Sequence, residues 1–144
     1  MAERLSVLLL DGRFDRAQYA LSIASSAAAL DRPVTLFLTL AATRALLADD
    51  GHGHPGWASL PISAELAEPG IADGAALDAR NRARGVAGFE ELLQACVALG
   101  VEVMVCEMGL RALELTTEDL RDDVPIHTGG LATLLGMGGQ IVVL

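Results

Sequence analysis

At 144 residues with a formal net charge of −9, the chain has the length of one domain and an acidic surface, which excludes the basic footprint of a nucleic-acid binder. Hydrophobic residues make up 52% and aromatic ones 3%, so the core is aliphatic and rich in Ala, with apolar surface to spare for a subunit interface. All basic residues are Arg, two cysteines are too few for a disulfide framework, no signal segment precedes the first strand, and Arg44 interrupts the best apolar run; these features exclude a membrane span and predict a cytoplasmic protein with reduced thiols.

Leu5 to Leu10 is a nearly continuous apolar run and reads as a strand buried on both faces. Asp11-Gly12 breaks it. A helix follows from Phe14 to about Leu30, with Asp15 and Gln18 spaced as a capping box and Phe14 placed to staple onto Tyr19. Asp31-Arg32-Pro33 ends that helix. Val34 to Leu38 is a second strand closed by Thr39, and Ala41 to Ala48 a second helix.

The stretch from Asp49 to about Arg84 reads as irregular, with Pro55, Pro61, Pro69 and several Gly. A loop of roughly 35 residues is unusual inside a domain, and Trp57, Leu60, Ile62, Leu66 and Ile71 predict that it packs on the body. Val86 to Leu99 is an amphipathic helix, with Cys96 on its apolar face and Gly100 as its C′ residue. Val101 to Val105 is a buried strand ending at Cys106. A short helix near Gly109 to Leu115 and a helix start at Thr116-Thr117-Glu118-Asp119 come next. Then come a short strand Val124-Pro125-Ile126, a helix from Thr128-Gly129-Gly130 through Leu135, and a last strand from Gln140 to Leu144.

Strands alternating with helices predict one three-layer α/β domain over residues 1–144, with about five parallel strands, flavodoxin-like in outline. Parallel order gathers Asp11, Gly12, Thr39, Cys106 and His127 at the carboxyl edge of the sheet, where α/β proteins place their chemistry. Cys106 is the candidate nucleophile, since a following helix amino terminus favours thiolate over thiol. Cys96 reads as a core thiol. His127 is either a base or orienter beside the thiolate or a solvated loop histidine, and Gly129-Gly130 either cradles an anion or simply precedes a helix. His52 and His54 with Asp49 and Asp50 have zinc-type chemistry, but Gly51 and Gly53 read better as a polar loop tip; no metal is expected.

Beyond these single residues, an ordered series stands out: Ala98-Leu99-Gly100-Val101, the strand ending at Cys106, Met108, Thr117-Glu118-Asp119-Leu120, and Gly129-Gly130-Leu131-Ala132-Thr133. With Val34-Thr35-Leu36-Phe37-Leu38-Thr39 upstream, the chain resembles the DsrE/DsrF-like sulfur-relay family, which includes the TusD-type sulfurtransferase subunits. The resemblance covers most of the chain outside residues 49–84. It implies that Cys106 accepts sulfane sulfur as a persulfide and passes it to another protein's thiol. It also implies homo- or hetero-oligomers, commonly trimers or hexamers, with the cysteine near subunit contacts. Many relatives follow the cysteine with a Ser-Met pair where this chain has Gly109-Leu110.

The leading expectation is thus a sulfur carrier or sulfurtransferase needing no cofactor, with donor and acceptor proteins as partners. Cys106 and His127 would do the chemistry, and Asp11, Gly12, Thr39, Met108, Gly109, Gly129 and Gly130 would border the substrate. The rivals are a redox-sensing thiol protein, and a small-anion-binding module in which Cys106 is a bystander.

Overall fold

Apolar runs without polar alternation belong in the middle of a parallel sheet, and three such runs form its centre. In the computed structural model, which describes residues 2–144, the strands are β1 (Leu5–Leu9), β2 (Val34–Leu38) and β3 (Glu102–Cys106), flanked by β4 (His127–Gly129) and β5 (Gln140–Val143). All pairings are parallel and the strand order is β4-β3-β2-β1-β5. The expected doubly wound outline is present, with its own order rather than the 2-1-3-4-5 of flavodoxin.

Handedness then places the helices. From β1 to β4 each new strand is added on the same side, so right-handed crossovers put the intervening helices on one face. These are α1 (Phe14–Ala29) and α3 (Phe89–Ala98), joined by α2 (Gly74–Ala83). Val7, Leu9, Leu36, Leu38, Val103 and Val105 point to that face and meet Ala20, Ala24 and Leu93 in the main core. The step from β4 back to β5 reverses direction, so its helix, α5 (Leu131–Gly136), crosses the opposite face. There Phe37, Met104, Cys106 and Leu134 form a second, smaller cluster.

Residues 49–84 are more ordered than the sequence suggests. They contain short 3-10 segments at Gly56–Ser59 and Ala64–Leu66, and α2, whose N-cap Asp73 accepts from Ala76 N at 2.9 Å. The segment covers the amino terminus of α1. Phe14 N donates to Pro61 O at 2.8 Å, Asp15 accepts from Ser63 N at 2.8 Å, and Gln18 bonds to Asn81 and Ala87. The residues expected to form a capping box therefore make tertiary contacts instead. Phe14 packs on Trp57 and Phe89 at ring-centroid distances of 5.7 and 5.9 Å, while Tyr19 stays exposed, so the expected staple is absent.

Three other boundaries differ from the sequence reading. The second helix is a 3-10 segment, Leu40–Leu46. The helix after Cys106, α4 (Glu107–Ala112), starts directly at the strand end. The fourth strand lies three residues beyond Val124-Pro125-Ile126, because Pro125 has no N–H to give to a ladder. As expected, Gly100 ends α3: at φ 83 it lets Val101 N reach Cys96 O at 2.9 Å. Among the described residues no helix is long and apolar enough to cross a membrane.

Candidate functional site

Cys106 is the last residue of β3 and the N-cap of α4, with extended backbone angles of φ −72 and ψ 124. In the parallel register it stands beside Gly129. Side chains alternate along a strand, so it shares a face with Met104, and the thiol is only 2% exposed. The helix expected to face the thiol is six residues long.

Of the other expected residues, all but His127 lie at the carboxyl edge. Gly109 lies against Thr39: a Cβ there would come within 2.9 Å of Thr39 Oγ1 and 2.6 Å of Leu40 N. The glycine is what allows α4 to seat on the start of the Leu40–Leu46 segment. Gly12 approaches Ala41 in the same way, with a Cβ-to-Cβ distance of 2.7 Å if a side chain were added. Gly129 sits under Met104 Sδ, while Gly130 faces open space. Three of the four edge glycines are thus explained by close packing, the reading that needs no ligand. Met108 is 67% exposed beside the strand end.

Asp11 does not present a free acid. Its carboxylate accepts from Arg13 N and Nε, both at 2.9 Å, and pairs with Arg13 Nη2. Those bonds pull its pKa down to about 2. His127 is not at a strand end. It opens β4 opposite Met104, two residues and about 6.6 Å back from the Cys106–Gly129 level at 3.3 Å per residue, and it is exposed. The shift of β4 past Pro125 is the cause.

Cys96 is a core thiol as expected. It is fully buried, donates weakly to Leu21 O at 3.5 Å, and burial pushes its pKa up to about 11. Both cysteines are free. The His52–His54 segment is a loop tip: Asp49 accepts from Gly51 N at 2.7 Å, and Asp50 faces His54 Nδ1 at 3.1 Å. Among the described residues no group of three His, Cys, Asp or Glu is placed to hold a metal ion.

Two features escaped the sequence reading. The first is an apolar rim on the edge around Cys106: Leu10, Leu40, Met108 and Leu131 are all exposed, and Leu40 holds φ 52, an uncommon angle for a residue with a side chain. Each follows a strand end by one or two residues, a pattern that could have been read once the strands were placed. The second is an ion-pair network away from the thiol. Arg121 bonds Glu90 at 2.6 and 2.8 Å and Asp123 at 2.7 Å, and Glu90 also accepts from Trp57 Nε1 at 2.7 Å. These bonds hold the carboxyl of Glu90 below its ordinary range and raise Arg121. The network borders a cavity of about 470 Å³, which Cys106 does not line. Nothing in the sequence spacing links these residues, because they come from three separate segments.

Fold and site together define an α/β domain with an all-parallel sheet and a thiol at the strand-to-helix junction of its central β3. The chain belongs to the DsrE/DsrF-like family, whose model matches residues 7–144. In structure it is similar to the YchN protein from E. coli, with a TM-score of 0.57 and 15% identity over 100% of both chains. It is also similar to MTH1491, a protein of unknown function from Methanobacterium thermoautotrophicum, with a TM-score of 0.56 and 12% identity over 99% of both chains. At those identities the likeness concerns the fold. No curated protein matches the chain in sequence.

Proposed function

We propose that the protein is a cytoplasmic sulfur carrier that holds sulfane sulfur as a persulfide on Cys106. The observation that carries this reading is the contrast between the two thiols. Cys96 is sealed in the main core with its pKa pushed up to about 11, whereas Cys106 ends a central strand at the edge where α/β domains react. Membership in a family associated with sulfur relay supports it.

The transfer is balanced without a cofactor. The Cys106 thiolate attacks the terminal sulfur of a donor persulfide, the donor's S–S bond breaks, and the donor leaves as a thiolate. Cys106 then carries the S–SH group. An acceptor thiolate attacks the outer sulfur in turn and releases Cys106. Met108 and the Gly129-Gly130 turn border the sulfur in this scheme. His127, set back along β4, serves as a proton carrier reached through water. The rim of Leu10, Leu40 and Met108 is assigned to contact with another copy of the chain, in an oligomer that brings Cys106 close to a subunit boundary.

The test is intact mass after incubation with a sulfane-sulfur donor, wild type beside Cys106→Ser. A gain of about 32 Da, one sulfur, reversed by reductant and absent from the variant, is expected. An adduct of equal size on both proteins would move the chemistry to Cys96. No adduct on a Cys106 that alkylates freely would favour a redox-sensing thiol instead.

A further inference from the structure

Cys106 is the candidate sulfur-bearing atom, yet it is 2% exposed. A short piece of chain, α5, packs on the cluster that contains it. We propose that α5 is a lid whose opening admits donor and acceptor to Cys106; this rests on the persulfide reading above. Leu134 is the one α5 side chain that is fully buried, and it completes the cluster of Phe37, Met104 and Cys106. Its neighbours Leu131 and Leu135 are exposed.

The backbone bonds of α5 and its exit turn run among residues 130–138: Thr133 and Leu134 N to Gly130 O, Met137 N to Leu134 O, and Gly138 N to Leu135 O. The helix makes few contacts with any other element. Beyond Leu134, its moorings are Met137, packed on the same cluster, and a weak bond from Thr35 Oγ1 to Met137 Sδ at 3.6 Å. Gly130 precedes it, Gly136 is its last residue, and Gly138 and Gly139 follow. The last two hold φ 72 and 84. A helix held by Leu134 and Met137 between glycine-containing turns can lift without opening the main core.

The two cysteines supply the test. Cys96 lies in the main core and reports global opening; Cys106 reports the lid. Native full-length protein is treated with iodoacetamide, and modification of each cysteine is followed by peptide mass, normalised to its rate in the urea-unfolded chain. Cys106 is expected to be protected at least ~10-fold less than Cys96, because local opening costs less than global unfolding. Stiffening the joints closes the lid. At Gly130 and Gly136 a Cβ meets nothing within 4 Å and φ is not positive, so Gly130→Ala and Gly136→Ala fit. Each is expected to slow Cys106 labelling about 2- to 5-fold, with Cys96 unchanged. Leu134→Ala should speed Cys106 labelling at least ~10-fold.

Equal protection of the two cysteines, an unprotected Cys106, or glycine variants that leave its rate unchanged would each overturn the lid. Alkylation needs no sulfur donor, so the two readings fail separately. A gated Cys106 that never gains sulfur sinks the persulfide reading alone. Persulfide loading with no difference between wild type and the glycine variants in either reaction sinks the lid alone.

Discussion

Asp78 is a buried polar group that ties α2 to the start of α3, and its removal has a calculable cost. It lies in α2, is 3% exposed, and its Oδ1 accepts from Phe89 N at 2.7 Å. Phe89 is the first residue of α3, and the N-cap Gly88 has no side chain to offer. Asp78 therefore caps α3 from another helix. Asp78→Ala removes this cap and so leaves a buried N–H without a partner, at about 1–3 kcal/mol. The ion pair with Arg82 adds little, since Arg82 is 63% exposed. The expected loss is thus about 1–3 kcal/mol, or roughly 2–12 °C in Tm for a chain of this size. Asp78→Asn keeps an acceptor and should lose no more than about half of that. Arg82→Met should cost under about 0.5 kcal/mol. Urea titration of the three variants with thermal melts would check the order. If Asp78→Ala stayed within about 0.5 kcal/mol of wild type, or Asn were as costly as Ala, the capping argument would be wrong.

Gly109→Ala should cost about 1–3 kcal/mol by urea titration, because the new Cβ meets the Leu40 backbone at 2.6 Å and α4 must shift; a neutral result would mean α4 is not seated as described. The Asp11 carboxyl, held at about 2 against an ordinary 3.8, contributes stability that is present above about pH 4 and lost as pH falls towards 2. Arg13→Met should move its NMR titration up towards the ordinary range, and the stability gap between the two proteins should close across that window; an unmoved Asp11 titration would refute the pairing. His127→Ala should slow persulfide loading by less than ~10-fold, since a general base in direct contact contributes ~10²–10⁴; a loss in that larger range would place His127 at the sulfur after all.

The centre of the sheet was legible because β1, β2 and β3 are apolar runs closed by turn residues, a signal that tertiary context reinforces. The Gly100 exit and the placement of Cys106 followed from the same strands. What could not be read was the work done by polar side chains at a distance. α2 buries a single large apolar side chain, Leu77, so its sequence carries almost no helical period, and Asp73 as N-cap was its one local signal. Asp15 and Gln18 satisfy a local capping pattern, yet the covering segment offers Ser63 and Asn81 instead. Thr116 and Asp119 show the opposite case: with no competitor nearby, they form a reciprocal capping box at the predicted helix start. At β4 an apolar tripeptide outweighed Pro125 in the sequence reading, and the missing N–H decided the matter in the fold.

The thin cover over the thiol follows from the strand order and the length of one connection. From β4 to β5 the chain must pass β3, β2 and β1, four interstrand steps of about 4.8 Å, or roughly 19 Å. α5 has six residues, only about 9 Å at 1.5 Å per residue. Glycine-rich joints span the remainder, and they bring almost no side chains to bury. Parallel sheets ordinarily have both faces covered, yet here Ile141 and Val143 on β5 remain exposed on the side opposite Val142. The same short crossover that leaves β5 bare places just Leu134 and Met137 over the Cys106 cluster. A longer α5 would have sealed this face as α1 and α3 seal the other, and Cys106 would then be as inaccessible as Cys96.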